Sequence, residues 1–274
     1  MVRVEESDLI SDSDQNPKDR QFVTALSRGL SVLNCFARAQ TELGTSEIAR
    51  LTGLPQPTVW RLCYTMLKLG YLVQARGSDK LRLGVPVLGL GYAVLADQNI
   101  AQLAYPYMQE LSDQCEGAVA LSMRDGQDML YLQRCVGPKV MIVEQQRVPL
   151  ATSVTGWGYI AGLTPAARAE TFAELKAIYG PAWREMEKQI VKAITAYEKT
   201  GYILGKGIVH REVNSIGVPI VSSDGSVVLA LTCGGIASVF TEEVLRSIGN
   251  SLIKIAELVK MALRPDAKQP LKPR

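Results

Sequence analysis

The stretch Gly44–Gly70, GTSEIARLTGLPQPTVWRLCYTMLKLG, decides the fold of the first part of this chain. It predicts two helices joined by a tight turn. Thr45 or Ser46 can cap the first helix, and Gly53 suits its end because glycine enters the left-handed region without a Cβ clash. The two prolines of the LPQP segment interrupt a continuous helix but fit the opening turn of a second one.

The second helix has two faces that differ in chemistry. On a helical wheel one face is apolar and is predicted to be buried; it consists of Val59, Leu62, Cys63, Met66 and Leu67. The opposite face consists of Thr58, Arg61, Tyr64, Thr65 and Lys68, with Trp60 at the border. Cations and hydroxyls of this kind, together with the amide of Gln56, contact phosphates and base edges. Taken alone, the stretch also fits an ordinary helical hairpin with a polar outer face.

The flanking sequence favours a winged helix-turn-helix. Gly70 to Val73 predicts a strand, Arg76 to Lys80 a polar turn with a cation at each end, and Leu81 to Leu83 a returning strand. Upstream, Thr24 to Ala39 predicts a third helix, amphipathic through Leu26, Leu30, Leu33 and Phe36. Three helices and a basic wing make up this fold.

Length and charge set the broad class. A chain of 274 residues with 47% hydrophobic content suggests two domains. No apolar run approaches the roughly 18 residues of a membrane span, and the acidic N-terminus has no apolar core of a signal peptide, so a cytoplasmic protein is expected. Residues 21–86 hold eight basic and three acidic residues, a local charge of +5. This asymmetry favours double-stranded DNA as a partner.

Cysteine and histidine usage argues against metal and catalytic sites. The cysteines are odd in number, widely spaced and form no C-x-x-C motif; they are Cys35, Cys63, Cys115, Cys135 and Cys233. Disulfides and structural zinc are therefore not expected. His210 is the only histidine, so a histidine-based triad or multi-histidine site is hard to build. We interpret His210 as a loop group and expect neither a cofactor nor an enzyme.

Composition divides the chain into five segments. We predict a disordered arm at residues 1–20, the winged domain at 21–86, a linker helix at 87–99, an effector domain at 100–264 and a basic tail at 265–274. The apolar linker helix is interpreted as a dimer contact, because DNA half-sites repeat. Docking on its own domain is the alternative.

The second domain mixes helices and strands and is predicted to be an α+β domain on an antiparallel sheet. Its predicted strands are Ala118 to Met123, Met129 to Cys135, Val140 to Val143, Ser215 to Val221 and Val227 to Cys233. Its predicted helices are one marked by Leu103, Tyr107 and Leu111, then Trp157 to Leu163, Pro165 to Tyr179, Glu185 to Thr200, and a last one capped by Thr241.

Several short motifs resemble the IclR family of bacterial transcription regulators, and the resemblance runs from about Thr24 to Leu263. In the first domain it is carried by Ser27-Arg28-Gly29-Leu30-Ser31-Val32-Leu33, Ser46-Glu47-Ile48-Ala49 and Leu54-Pro55-x-x-Thr58-Val59-x-Arg61-Leu62. In the second it is carried by Arg147-Val148-Pro149-Leu150, Thr155-Gly156, Gly201-Tyr202, Ile216-x-x-Pro219-Ile220 and Asp224-Gly225. Each motif is weak, but together and in order they are specific.

The resemblance implies a winged helix-turn-helix followed by a GAF- or PAS-like domain that binds a small catabolic metabolite. It also implies a dimer or tetramer on a palindromic operator. The predicted DNA-binding residues are Arg28, Gln56, Pro57, Thr58, Trp60, Arg61, Tyr64, Lys68, Arg76 and Lys80. The family's effector pocket falls on Val140, Val148, Val154, Thr155, Ser215, Thr232 and Gly234. Gly156 joins this set because N–H groups at a helix start can hold a carboxylate.

Departures from the family pattern indicate the class of effector. Gly156 is followed by Trp157 where the family usually has lysine, and two polar pocket positions of other members fall on Gly205 and Gly234. These losses predict an effector larger and less polar than a two- or three-carbon acid, such as an aromatic acid. The alternative is a degenerate pocket that binds nothing.

Other interpretations remain open at the level of sequence. Cys115, Cys135 and Cys233 could meet in a GAF-like thiol-dependent redox enzyme or sensor, although nothing in the sequence activates a thiolate. A ligand-free dimeric DNA-binding protein is the other alternative. Trp60 could close the helix-turn-helix core instead of facing DNA, and Trp157 is expected to pack under the sheet or at a subunit contact.

Overall fold

A computed structural model describes residues 21–39, 42–96, 100–138, 140 and 146–263. The predicted arm at 1–20, the tail at 265–274 and most of the predicted strand at 140–143 lie outside these residues. Contacts divide the chain into two compact units near residue 97. Each unit has its own apolar core.

The first unit is the winged helix-turn-helix that the sequence predicts. In chain order it contains α1 (Thr24–Ala39), α2 (Thr45–Thr52), α3 (Gln56–Lys68), β1 (Leu72–Gln74), β2 (Leu81–Leu83) and α4 (Val85–Ala96). β1 and β2 form the antiparallel wing, with Leu72 opposite Leu83. The main chain of Leu43 bridges to Leu81 and ties the wing to the start of α2.

The predicted apolar face of α1 is wrong in the first half of the helix. Leu26 and Leu30 are exposed. The buried apolar side chains of α1 begin at Val32 and continue with Cys35 and Phe36. The small core formed with α2 and α3 therefore covers only the second half of α1. A helical wheel assigns one buried face to the whole helix and cannot show this difference between its two halves.

The helix ends follow the sequence signals with one correction. Gly44, not Thr45 or Ser46, is the N-cap of α2, and its N–H donates to the Glu47 carboxylate at 2.8 Å. Gly53 ends α2 in the left-handed region with φ of 67°. α3 then begins at Gln56, with Pro55 at its N-cap.

The second unit is an α+β domain with a six-stranded antiparallel sheet. Its helices are α5 (Ile100–Cys115), α6 (Val154–Gly162), α7 (Pro165–Tyr179), α8 (Trp183–Thr200) and α9 (Glu242–Ala262). Its strands are β3 (Ala118–Asp125), β4 (Asp128–Val136), β5 (Arg147–Pro149), β6 (Ile203–Lys206), β7 (Val213–Val221) and β8 (Val228–Ile236). The strand order is β5-β4-β3-β8-β7-β6.

Two helical layers cover the sheet. α5 and α9 pack on one face in a core that includes Met108, Leu231 and Leu252. α6, α7 and α8 pack with the other face in a core that includes Trp157, Leu175 and Ile190. Trp157 is buried there and its indole N–H donates to the Ala151 carbonyl at 2.8 Å, as the packing interpretation of this residue predicted.

Several elements differ from the sequence prediction. β5 and β6 were not predicted, because three or four residues give too short a pattern. α5 buries Ala104, Met108 and Leu111, whereas Leu103 and Tyr107 are exposed. α6 begins at Val154, three residues before the predicted start, because Ser153 caps it by accepting the Gly156 N–H at 3.0 Å.

Candidate functional site

The outer face of α3 is a continuous polar and aromatic surface. Val59 and Cys63 are buried in the core, and this fixes which side of the helix faces outward. The predicted α3 residues that are exposed are Gln56, Pro57, Trp60, Arg61, Tyr64 and Lys68, while Thr58 is half-buried. The Gln56 amide also donates to the Ser46 hydroxyl at 3.1 Å, which links the start of α3 to α2.

An aromatic stack orders part of this face. Trp60 is 57% exposed, so the interpretation that it closes the core is wrong. Its ring stacks on Tyr64 with centroids 5.4 Å apart and planes 17° apart. The Lys68 ammonium lies 5.4 Å from the Tyr64 ring centroid. Spacing of four residues places the three side chains in one row along the helix, where stacking restricts their rotamers before any partner binds.

The remaining predicted DNA-binding residues lie in different settings. Arg76 is exposed in the wing turn, next to Gly77 with φ of 74°. The Lys80 ammonium lies 3.6 Å from the Glu47 carboxylate. The Gly44 N–H and then the charge of Lys80 lower the pKa of Glu47. Arg28 is half-buried on α1, outside both the recognition helix and the wing.

We expect Arg61 to contact a base edge. Its side chain is exposed at the middle of the outer face of α3, the position from which a guanidinium can meet a guanine bidentately. Arg61→Ala is expected to weaken specific operator binding by about 1–3 kcal/mol, measured by fluorescence anisotropy at moderate salt. An unchanged affinity would show that the DNA-reading face is elsewhere.

We expect Arg76 to hold a phosphate. Arg76→Ala should weaken binding to all sequences alike and reduce the slope of log affinity against log salt by about 1. Lys80→Ala should change the slope less, because Glu47 already partly neutralises Lys80. A loss of sequence discrimination by Arg76→Ala at constant slope would contradict the phosphate assignment.

The second unit contains a cavity of about 350 Å³. Seven of the eight predicted effector residues line it: Val140, Val148, Val154, Thr155, Ser215, Thr232 and Gly234. The structure therefore brings residues from α6, β5, β7, β8 and the segment after β4 to one place. It also adds lining groups that the sequence did not predict, namely Glu116, Tyr131, Arg134 and His210.

Small residues on the sheet create this space. Arg134, Ala120, Thr232 and Gly217 are cross-strand partners in one row over β4, β3, β8 and β7. The next row contains Val136, Ala118, Gly234 and Ser215. Ala118, Ala120 and Gly234 project little or no side chain from the sheet, so the layer above them stays unfilled.

A bulge in β4 brings two functional groups to the same wall. The register shifts between Leu121 and Ser122, so that Ala120 faces Arg134 and Ser122 faces Tyr131. Residues three apart normally point to opposite faces of a strand, but the extra residue at the bulge places both side chains on the cavity side. The Arg134 guanidinium lies 5.8 Å from the Tyr131 ring centroid.

A chain of hydroxyls crosses the cavity wall. Thr155 Oγ1 donates to Thr232 Oγ1 at 3.4 Å, and Thr232 Oγ1 donates to the Ala120 carbonyl at 3.5 Å. Burial raises the pKa of Tyr131, and the charge of Arg134 and a hydrogen bond with Thr155 oppose the rise. Tyr131 is therefore a neutral phenol at physiological pH and offers a donor and an acceptor.

Two glycines have roles different from those predicted. Gly156 does not line the cavity: its N–H is already bonded to Ser153, and a Cβ there would lie 1.9 Å from the Leu150 carbonyl oxygen. Gly205 lies behind Val154, since a Cβ there would lie 2.2 Å from a Val154 methyl. The absence of a side chain at Gly205 thus makes room for Val154 and does not leave the cavity short of a polar group.

His210 is an exposed loop residue, as the sequence indicated, and it also lines the cavity. It follows β6 in the segment that returns to β7. Among the described residues, no group of three or more His, Cys, Asp or Glu side chains is placed to hold a metal ion. No described helix is long and apolar enough to cross a bilayer.

Comparison with known proteins identifies both units. The model of the IclR helix-turn-helix domain matches residues 25–76, and that of the bacterial transcriptional regulator IclR C-terminal domain matches residues 92–261. The HTH-type transcriptional regulator TsaQ1/TsaQ2 of Comamonas testosteroni is 28% identical over 249 residues, covering 89% of each chain. The two domain models and this relative are those of transcriptional regulators, so the regulator interpretation of the chain is confirmed.

Solved structures share the fold. An IclR family transcriptional regulator from Brucella abortus superposes with a TM-score of 0.79 at 37% identity, covering 92% of this chain and 96% of that one. An IclR homologue from Microbacterium hydrocarbonoxydans in complex with 4-hydroxybenzoate has a TM-score of 0.71 at 23% identity, covering 87% and 98%. The chain therefore belongs to the IclR family of bacterial transcriptional regulators, with a helix-turn-helix DNA-binding domain followed by the family's C-terminal ligand-binding domain.

Proposed function

We propose that this protein regulates a catabolic operon by binding a palindromic operator as a dimer or tetramer and an aromatic carboxylic acid in its second unit. The observation that carries the proposal is the cavity, where seven residues predicted from the family pattern converge. Its valines and its tyrosine suit an aromatic ring, and its hydroxyls and one arginine suit a polar group of the same ligand.

Arg134 is the proposed partner of the carboxylate. Among the described residues that line the cavity, Arg134 is the only arginine or lysine. The guanidinium offers several N–H donors in a fork that matches a carboxylate. Glu116 also lines the cavity, and its negative charge favours placing the ligand's carboxylate towards Arg134 and away from α5.

The apolar body of the ligand would lie against the valines. Val148, Val154 and Val140 line the cavity, and burial of apolar surface contributes about 25 cal/mol per Å². A two- or three-carbon acid has too little apolar surface to use these walls. The preference for a larger acid thus follows from the apolar walls. Of the two positions predicted to lack a polar side chain, Gly234 lines the cavity and Gly205 does not.

Calorimetric titration of the full chain with a panel of acids tests the proposal. We expect 4-hydroxybenzoate or another aromatic acid to bind more tightly than glyoxylate or pyruvate. The homologue from Microbacterium hydrocarbonoxydans, solved with 4-hydroxybenzoate, motivates that probe. Tighter binding of glyoxylate or pyruvate than of every aromatic acid would contradict the proposed ligand class.

Removal of the Arg134 charge should weaken this binding. A hydrogen bond to a charged group contributes roughly 1.5–3 kcal/mol, so Arg134→Gln is expected to lower the affinity by about 10- to 100-fold. Arg246→Gln is the matched control, because Arg246 lies on α9 and pairs with Glu242. Equal affinities of the two variants would move the carboxylate site away from Arg134.

Exposed apolar side chains in the first half of α4 support the proposed pairing of subunits. Val85, Leu88 and Leu90 of α4 are all more than half exposed, although burial would be favourable for such side chains. This agrees with the interpretation of α4 as a dimer contact. Leu88→Glu is expected to weaken dimerisation in sedimentation experiments, and an unchanged assembly state would place the contact elsewhere.

A further inference from the structure

Two cysteines distant in sequence meet beside the cavity. Cys115 is the last residue of α5 and Cys233 lies in β8, and their sulfur atoms are 3.6 Å apart. Cys115 is partly exposed, whereas Cys233 is buried and contributes to the cavity wall. Both thiols are free in the structure.

We propose that Cys115 and Cys233 are a modification site: a dithiol that a hydroperoxide oxidises to an intramolecular disulfide. The inference goes beyond the proposed function and does not depend on any effector. A disulfide needs a sulfur separation near 2.05 Å, so the two atoms must approach by about 1.5 Å. Such a shift is within the reach of a side chain at the end of a helix.

The local backbone is built for this approach. β8 is held on both sides, with Cys233 opposite Val119 of β3 and Ile216 of β7. The mobile partner is therefore Cys115. Gly117 leaves room for its sulfur, since a Cβ there would lie 3.1 Å from Cys115 Sγ.

The two thiols have different roles in the reaction. The hydrogen bond from Cys233 lowers the pKa of Cys115, while the same contact, together with burial, raises the pKa of Cys233. The partly exposed Cys115 thus supplies the attacking thiolate, which is the reactive form. Cys135 is not part of the pair, because its sulfur contacts the Tyr105 carbonyl.

The chemistry balances in two steps. The Cys115 thiolate attacks one oxygen of the hydroperoxide; an S–O bond forms, the O–O bond breaks, and the other oxygen leaves as an alcohol or water after protonation. The Cys233 sulfur then attacks the sulfenic acid; an S–S bond forms, the S–O bond breaks, and water leaves. The hydroperoxide is reduced and two thiols are oxidised.

The disulfide would act on the wall of the cavity. Thr232 and Gly234, the neighbours of Cys233, line the cavity, as does Glu116, the neighbour of Cys115. A covalent link would fix the end of α5 to the strand that carries Thr232. It would also close a loop between residues 118 positions apart, which is expected to raise the melting temperature reversibly.

Mass spectrometry of the full-length protein tests the proposal. Reduced protein is treated with hydrogen peroxide, alkylated and digested without reductant. We expect the wild type to lose two of its five thiols within one chain and to yield a Cys115–Cys233 linked peptide that dithiothreitol removes. Differential alkylation of the wild type needs no variant and so does not depend on the folding of one.

Single substitutions separate the two steps. Cys115→Ser should retain the Cys233 thiol, and Cys233→Ser should accumulate a sulfenic acid at Cys115 that dimedone traps. Cys135→Ser, a change in the same core, should form the disulfide as the wild type does. Oxidation of Cys115 to sulfinic acid while Cys233 stays reduced, or links to other cysteines in place of this pair, would overturn the proposal.

Discussion

Gly156→Ala is expected to destabilise the second unit by about 3 kcal/mol or more, because the new Cβ has no space. It would lie 1.9 Å from the Leu150 carbonyl oxygen and 2.6 Å from the Leu150 Cα. Both are backbone atoms, so no side-chain rotation relieves the clash. Leu150 is itself buried, and its N–H donates to the Gln127 carbonyl at 2.8 Å.

Gly158→Ala is the matched control on the same helix. A Cβ at Gly158 would meet the Ala230 Cβ at 3.7 Å, an ordinary van der Waals distance. Alanine favours a helix over glycine by about 0.5–1 kcal/mol, so this variant should be as stable as the wild type or slightly more stable. Urea unfolding followed by the fluorescence of Trp157 and Trp183 compares the two. Equal stabilities of the two variants would contradict the close contact between the Leu150 main chain and Gly156 of α6.

Thr232→Phe should abolish effector binding. Thr232 is buried in the cavity wall between Thr155 and the Ala120 carbonyl. An aromatic ring at this position would occupy the space of about 350 Å³ that the ligand is proposed to fill. We expect the affinity for an aromatic acid to fall by about 100-fold or more, close to 3 kcal/mol. Operator affinity without ligand should stay within about twofold, because the first unit has its own core.

A second variant separates the effect of side-chain volume from that of hydrogen bonding. Thr232→Val keeps the volume of the side chain and removes the hydroxyl, so the free energy of binding the aromatic acid should weaken by about 1 kcal/mol. Calorimetry on the wild type and both variants gives the comparison, and thermal melts establish that each is folded. Binding by Thr232→Phe equal to that of the wild type would place the effector outside this cavity.

The sequence predicted the elements that have local signals. Gly53 and the LPQP prolines located the turn between α2 and α3, and Thr241 located the start of α9, where its hydroxyl accepts the Val244 N–H. The exposure of Leu26 in the first half of α1 could not be predicted in this way, because it depends on how far the neighbouring helices extend along α1. Periodicity shows that a face is apolar, and packing decides how far it is covered.

The cavity was predictable in part. Family spacing located Thr155, Ser215 and Thr232, whose side chains the fold brings together. Tyr131 and Arg134 could not be found by counting along β4, because alternation assigns residues three apart to opposite faces. Only the bulge seen in the pairing with β3 places both on the cavity side. Gly156 was misassigned because its closeness to Leu150 is a long-range contact that a motif does not reveal.

The central claim is that binding of an aromatic acid changes the affinity of this regulator for DNA. The direct measurement is fluorescence anisotropy of the full-length protein on an operator from the DNA flanking its own gene, with and without a saturating aromatic acid. A coupling of 1–3 kcal/mol is typical of such linkage, so we expect the operator affinity to change by about 5- to 150-fold. An affinity that stays within about twofold, for an acid that calorimetry shows to be bound, would contradict the account.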